Sequence, residues 1–398
     1  MKILYHHRIR SKDGQYVHIS EMVAALRRLG HEVVMVGPSG FGAAAFGAGG
    51  GGWIKNLPKA IYETLEFAYN FLAFARLLAA WWRHRPDAVY ERYNLFLLAG
   101  AWFKRLSGLP FVVEVNAPLS EERERHSGGL ALGSLARWGE RVTWRSADHV
   151  VSVTGVLAQY VRAGGVPDHR IVIMPNGIDP ERYEHLPDTA EAKRDLGLGA
   201  GVVLGFTGFV RSWHGLDRVI QWIANAPAAR GARLLIVGDG PAVPELTTQA
   251  RMMGVTDRVT FAGLVTPEKV AHYAAAFDIA LQPAVTAYAS PLKIIEYMAA
   301  GCAIVAPDMP NIRELLDDGQ TAVLFDPENP RALALAIEKL IGDAALRRRL
   351  GQGAREAMTR RRLTWDGNAE RTVALFGRAQ PAKAEHAPAG RRDGKVAP

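Results

Sequence analysis

Short runs of consecutive apolar residues recur along the whole chain, separated by segments with a helical period. In the first half they fall at 2–5, 32–36, 88–90, 111–115, 150–153 and 171–174. In the second half they fall at 202–207, 233–237, 259–261, 279–282, 303–306 and 322–325. Runs this short and unbroken suit strands buried on both faces of a parallel sheet. Between them, Ile19, Val23, Leu26 and Leu29 are spaced four, three and three, which lays one apolar stripe along a helix. Strand and helix alternating over 398 residues predict an α/β chain of two Rossmann-like, doubly wound domains.

The halves divide after Asn176-Gly177-Ile178-Asp179. The polar stretch 184–200, with Pro187 and then Gly197, Gly199 and Gly201, reads as the connection. We expect an N-terminal domain over 1–183, joined by a C-terminal helix at 364–378, and a C-terminal domain over 184–363. The tail 379–398 has almost no large apolar residue and the composition of a disordered segment.

Two segments break the alternation. Residues 37–52 hold eight glycines in sixteen positions but lack the Gly-Lys-Ser/Thr ending of a phosphate-binding loop, so they read as a mobile loop. Residues 65–82 (LEFAYNFLAFARLLAAWW) are strongly apolar yet interrupted by Glu66, Asn70 and Arg76. A spanning helix needs about 20 mostly apolar residues, and charges near its centre would cost several kcal/mol. Two readings stay open: a core-packing helix, or a membrane-surface helix whose aromatics (Phe67, Phe71, Phe74) touch anionic lipid through 55–85, flanked by Lys55, Lys59, Arg83 and Arg85.

Composition narrows the classes. Hydrophobic residues at 48% and charged residues at 22% describe a folded globular protein. The single cysteine, Cys302, excludes an internal disulfide or a cysteine metal cluster. MKILYHH reads as a first strand and not a secretory leader. We expect a cytoplasmic protein, able to sit peripherally on the inner face of a membrane. A net charge of +8 and a pI near 9.6 favour anionic partners. The charge is scattered, no nucleic-acid-binding signature is present, and nucleic acid is the partner we expect least.

The richest stretch chemically is Ala289-Ser290-Pro291-Leu292-Lys293-Ile294-Ile295-Glu296. Ser before Pro before an apolar period predicts a helix start with Ser290 as N-cap and Pro291 at its first position. Such an end is an anion site. Lys293 falls in the first turn, and Glu296 one turn deeper on the same face, about 5 Å on. That suits a nucleoside diphosphate whose ribose bonds to the carboxylate; the alternative is an exposed Lys–Glu pair. In Gly208-Phe209-Val210-Arg211-Ser212-Trp213-His214-Gly215, Arg211 and His214 follow a strand and precede a helix, where open α/β sheets bind ligands. His214 reads equally as a packing or capping residue.

Gly238-Asp239-Gly240 follows another strand, but Val243 stands where a dinucleotide fingerprint needs its third glycine. Gly14 and Gln15 open the first helical pattern, where glycine lets backbone approach a ligand closely; the stretch reads more readily, taken alone, as an ordinary strand-to-helix turn. Glu114-Val115-Asn116 ends a buried run with polar groups at the expected cleft.

Together these stretches resemble the GT4-type glycosyltransferases. The residues carrying the resemblance are GQYVHI…RRLGHEVVMVGP, YERYNLFLLAG, VVEVNAP, IVIMPNGID, GFVRSWHGLD, LLIVGDGP, VTFAGLV and SPLKIIEYMAAGCAIVAP, spread over about 1–378. The resemblance implies the GT-B fold, two domains facing across a cleft, and retaining transfer from a UDP- or GDP-linked sugar to a glycan or lipid-linked acceptor. The setting it implies is bacterial polysaccharide or glycolipid assembly. It implies no cofactor and no catalytic metal, in keeping with the lack of any Asp-x-Asp.

By the same resemblance Glu296 bonds the ribose, while Gly14, Gln15, Gly238, Ser290, Pro291 and Leu292 belong to the donor site. Gly263 and Leu264 line the base. Arg211 and Lys293 stabilise the leaving diphosphate, with His214 standing where lysine is more usual. The chain departs from the pattern at Tyr288, where a glutamate is common, and at Asn116, where a histidine is common. Glu114 and Asn116 are the candidates for contact with the transferred sugar. Two other classes remain: a sugar-nucleotide epimerase of the same shape, and a non-catalytic sugar-nucleotide-binding scaffold.

Overall fold

The structure is a computed structural model whose described residues are 1–9, 14–38, 57–126 and 128–379. Most of the glycine-rich stretch, Lys55 and the tail from 380 lie outside them. One sheet holds β1 (Lys2–His6), β2 (Glu32–Val36), β3 (Ala88–Arg92), β4 (Phe111–Val115), β5 (His149–Ser152) and β6 (Ile171–Ile173). The other holds β7 (Val203–Thr207), β8 (Arg233–Val237), β9 (Val259–Gly263), β10 (Ile279–Leu281), β11 (Ala303–Pro307) and β12 (Ala322–Phe325). Their orders are β2-β1-β3-β4-β5-β6 and β12-β11-β10-β7-β8-β9, with every pairing parallel. All twelve apolar runs are therefore strands, and the fold is two doubly wound α/β domains.

The helices that position the site are α1 (Gly14–Arg28), α2 (Lys59–His84), α3 (Leu119–His126), α4 (Gly155–Ala163), α5 (Thr189–Asp195), α6 (Leu216–Asn225), α7 (Leu292–Ala300) and α8 (Trp365–Ala379). Alternation along β1 explains the layering. Ile3 and Tyr5 pack with Ile19 and Met22 of α1, whereas Leu4 packs with Tyr69, Ala73 and Leu77 of α2. Trp365, Ala369, Leu375 and Phe376 of α8 return to that first core, although α8 follows the second sheet in sequence.

The chain thus crosses between the sheets twice, and the two crossings are hydrogen-bonded to each other. Ile178 N–H donates to Leu363 O at 3.1 Å and Trp365 N–H to Ile178 O at 3.0 Å. Gly177 is required there, because a Cβ would lie 2.4 Å from the Thr364 carbonyl carbon.

Two segments hold more structure than their sequence shows. The stretch 184–200 is not a bare connection: Asp188 caps α5 by accepting from Glu191 N–H at 2.8 Å, and Ala192 and Leu198 are buried in the second core. Helix α5 is so short, and its apolar positions so few, that no helical period shows in the sequence. Helix α2 also buries one face while exposing another. Phe67 and Phe74 pack inward, while Ile61, Leu65, Phe71, Leu72 and Trp82 are exposed, Phe71 at 68% and Trp82 at 76%. No helix among the described residues is long and apolar enough to cross a membrane.

Candidate functional site

In each sheet the first strand has later strands on both sides, β2 and β3 around β1 and β8 and β10 around β7. A crevice forms where the winding reverses, at the carboxyl ends of those strands. The two crevices share one cavity of about 810 Å³. Its first-domain wall includes Gln15, His18, Arg92, Asn116 and Glu122. Its second-domain wall includes Phe209, Arg211, Trp213, Tyr288, Ser290 and Leu292.

Helix α7 supplies the floor. Pro291 occupies its N-cap position and no side chain caps this end, so first-turn N–H groups remain available to an anion. The expected Ser290 cap is displaced by one residue: Ser290 is buried, its Oγ accepts from Asn176 N–H at 3.2 Å, and its carbonyl accepts from Asn176 Nδ2 at 2.7 Å. The crossing segment has claimed the hydroxyl.

Lys293 and Glu296 lie just behind this end and do not form an exposed surface pair. Lys293 Nζ is 3.6 Å from the Phe206 ring centroid. Burial lowers its ammonium to about 7, with Glu296 holding it up in part. Burial raises Glu296, and Lys293 with the Thr207 hydroxyl opposes that shift; Thr207 Oγ1 donates to Glu296 Oε2 at 3.3 Å.

The β7–α6 loop brings the second cation. Gly208 has φ +114° and its N–H donates to Val237 O at 2.8 Å. Gly238 (φ +134°) packs so tightly on it that a Cβ would fall 2.0 Å from Gly208 O. Gly238 therefore shapes this loop through backbone packing. Arg211 is exposed in the cavity, its guanidinium 4.9 Å from the Phe209 ring centroid.

His214 is buried, and its Nδ1 accepts from Arg211 N–H at 3.1 Å. Burial, then Lys293 and Arg211, push it down to about 3. It is neutral at ordinary pH and holds the Arg211 backbone without adding charge. Gly263 (φ +70°) ends β9, and the next residue, Leu264, is exposed.

On the first-domain wall, Glu114 is buried beneath the cavity. It accepts from His18 Nε2 at 2.5 Å, Arg92 Nη1 at 3.3 Å, Tyr90 Oη at 3.0 Å and Asn116 Nδ2 at 2.9 Å. Burial alone would raise its pKa, but His18, Arg92 and these bonds hold it near 2. With its oxygens occupied, it orients His18, Arg92 and Asn116 instead of reaching the cavity. Gln15 is exposed beside them, one residue into α1 from Gly14.

The structure therefore gathers Gln15, Asn116, Arg211, Ser290 and Leu292 around one cavity, with Lys293 and Glu296 behind it. Sequence reasoning missed Arg92, Glu122, Phe209 and Trp213 as lining residues. Arg92 carried a signal: a charged residue closing a buried strand points into a crevice when the sheet is parallel.

Two facing α/β domains with an uncapped helix end and Arg211 at the switch point form a crevice suited to an anionic ligand. Residues 12–182 match the family described as Glycosyltransferase Family 4, and residues 201–343 that described as Glycosyl transferases group 1. The chain belongs to the GT4-type glycosyltransferases of the GT-B fold.

It is 28% identical over 262 residues to 2-deoxystreptamine glucosyltransferase of Streptomyces kanamyceticus, covering 63% of this chain and 66% of that protein, just under two thirds of its length. It is 27% identical over 348 residues to D-inositol 3-phosphate glycosyltransferase of Acidothermus cellulolyticus, covering 81% and 75%. Among solved structures, HepE of Anabaena in complex with UDP superposes with a TM-score of 0.72 at 20% identity, covering 95% of this chain and all of that one.

Proposed function

We propose that the protein transfers a sugar, with retention, from a UDP- or GDP-linked donor to a hydroxyl of a glycan or lipid-linked acceptor, without a metal. The observation that carries this reading is the uncapped start of α7 at the β7/β10 switch point, with Arg211 lining the same cavity, Lys293 in the helix's first turn and Glu296 one turn deeper. A diphosphate there meets N–H groups and two cations, and its ribose hydroxyls can donate to Glu296. HepE, which shares the fold, was solved with UDP and with UDP-glucose, which makes UDP the first nucleotide to try.

The chemistry follows from the charges. The bond between the anomeric carbon and the phosphate oxygen breaks as the acceptor oxygen bonds to the same face. The acceptor's proton passes to the departing phosphate. Negative charge growing on the diphosphate is what Arg211, Lys293 and the helix N–H groups stabilise. Arg92 and Asn116, held by Glu114, face the incoming acceptor.

A peripheral membrane role is supported by α2: Ile61, Leu65 and Leu72 form an exposed stripe beside Phe71 and Trp82, with Lys59, Arg83 and Arg85 at its ends. Bacterial polysaccharide or glycolipid assembly in the cytoplasm, on the inner membrane face, is the setting that fits.

The test is to incubate the protein with UDP-glucose in EDTA and follow the released sugar by proton NMR. Glucose appearing first as the α anomer supports retention without metal. First appearance of the β anomer, or turnover only on adding magnesium, overturns that part of the reading.

A further inference from the structure

Away from the paired crossings, the two domains meet again at the start of α4. Thr154 caps this helix, its Oγ1 accepting from Leu157 N–H at 3.1 Å. Gly155 and Val156 N–H have no acceptor within the helix, as at any helix start. Their acceptor comes from the other domain. Gly155 N–H lies 2.9 and 2.8 Å from the two Glu314 carboxylate oxygens, and Val156 N–H lies 3.4 Å from one of them. Thr154 Oγ1 in turn donates to the Tyr288 carbonyl at 2.9 Å.

Glu314 directly follows the short helix Pro310–Arg313. In that helix Asn311 is fully buried and donates from Nδ2 to the carbonyls of Thr286 at 3.1 Å and Ala289 at 2.8 Å. One turn of chain therefore holds both the cavity-lining loop around Tyr288 and the opposite domain, through side chains three residues apart. Tyr288 and Glu122 of α3 line the cavity from opposite domains, and burial followed by Glu122 raises the Tyr288 pKa.

We propose that Glu314 is a positioning residue for the transfer. Its carboxylate on α4 fixes the angle between the domains and ties that angle to the 284–290 loop. Arg92, Asn116 and Glu122 are thereby kept opposite Arg211 at the separation the reaction needs. The catalytic half of this proposal rests on the transferase reading above; the half concerning the domain angle does not.

Two substitutions break the contact from opposite sides in the full-length chain. Glu314→Ala removes the carboxylate. Gly155→Pro removes the donated N–H, and proline is well suited to a first helical position. Thr154 already has the extended conformation (ψ 157°) favoured before proline. Small-angle scattering reads the domain arrangement, titration calorimetry reads UDP affinity, and UDP-glucose consumption reads turnover.

Both variants are expected to scatter with a larger radius of gyration than the wild type. Both should bind UDP within about twofold of it, since Arg211, Lys293 and Glu296 all belong to the second domain, and lose roughly tenfold or more in turnover from misplaced groups. Glu314→Gln, which keeps one oxygen acceptor, should recover part of the turnover and serves as the readout if either harsher variant does not fold. Wild-type scattering and turnover in the variants would overturn the proposal. So would UDP affinity falling in step with turnover, which would make Glu314 a support of the nucleotide site alone. If the wild type neither binds UDP nor consumes UDP-glucose, the transferase reading fails, and the scattering comparison still decides the domain lock.

Discussion

Lys293 makes donor binding pH-dependent in a way that can be worked out beforehand. Its ammonium sits beside the Phe206 ring and titrates near 7 because it is buried. A pyrophosphate at the start of α7 returns it to the ordinary lysine range. Below pH 7 the unliganded protein already carries this proton. Above it, binding must take one up, and each further pH unit costs about 1.4 kcal/mol, a factor of ten in affinity.

With about 7 for the unliganded protein and a value above about 10 for the complex, UDP-glucose binds roughly 25-fold more weakly at pH 8.5 than at pH 6.5. UDP-glucose is the right probe because its pyrophosphate diester does not titrate in this window. Titration calorimetry in two buffers of different ionisation enthalpy should show uptake of about 0.2 proton per ligand at pH 6.5 and close to one at pH 8.5. Lys293→Met should lose both the uptake and the pH dependence. Constant wild-type affinity across the window, or a slope that survives in Lys293→Met, would refute the reasoning.

The same depression has a stability consequence. The folded value lies below the unfolded one, so the unfolded chain holds more protons and stability rises with pH from about 7 toward 10. Lys293→Met should therefore raise the melting temperature of the nucleotide-free protein at pH 7, and an unchanged or lower value would count against a desolvated cation that Glu296 compensates only in part. Arg211→Ala should reduce turnover of UDP-glucose by roughly 100-fold or more, since it removes a cation aimed at the leaving charge; steady-state kinetics would show it. Phe71→Ser with Trp82→Ser should weaken co-sedimentation with vesicles containing anionic lipid, while Phe67 and Phe74, which pack inward, should act through stability instead. Equal sedimentation of the double variant and the wild type would remove the membrane role.

The fold was legible because burial on both faces writes the central strands as unbroken apolar runs, and the part-exposed edge strands β2, β6 and β9 are largely apolar as well. Positions fixed by contacts distant in sequence were not. Ser290 reads locally as a cap, but Asn176, 114 residues away, takes its hydroxyl. Glu314 carries no local signal of its role, which comes from Gly155, 159 residues earlier in the chain. His214 reads equally as a ligand-site residue or a packing or capping residue, and burial between Phe206 and Trp213 makes it a neutral support. Glu114, suggested by its place near a strand end, lies one layer too deep, because it is still inside β4, whereas Asn116, two residues on and past the end of the strand, reaches the cavity.

The measurement that bears most directly on the central claim is a thermal-shift screen of the wild type and Glu296→Ala against UDP, GDP, ADP and CMP. A ligand that binds only the native state adds about 2.7 kcal/mol at a hundredfold excess over Kd. The expected result is a clear shift with one diphosphate, unchanged by magnesium and lost in Glu296→Ala. No shift with any nucleotide, or an equal shift in Glu296→Ala, would contradict a donor site built on α7.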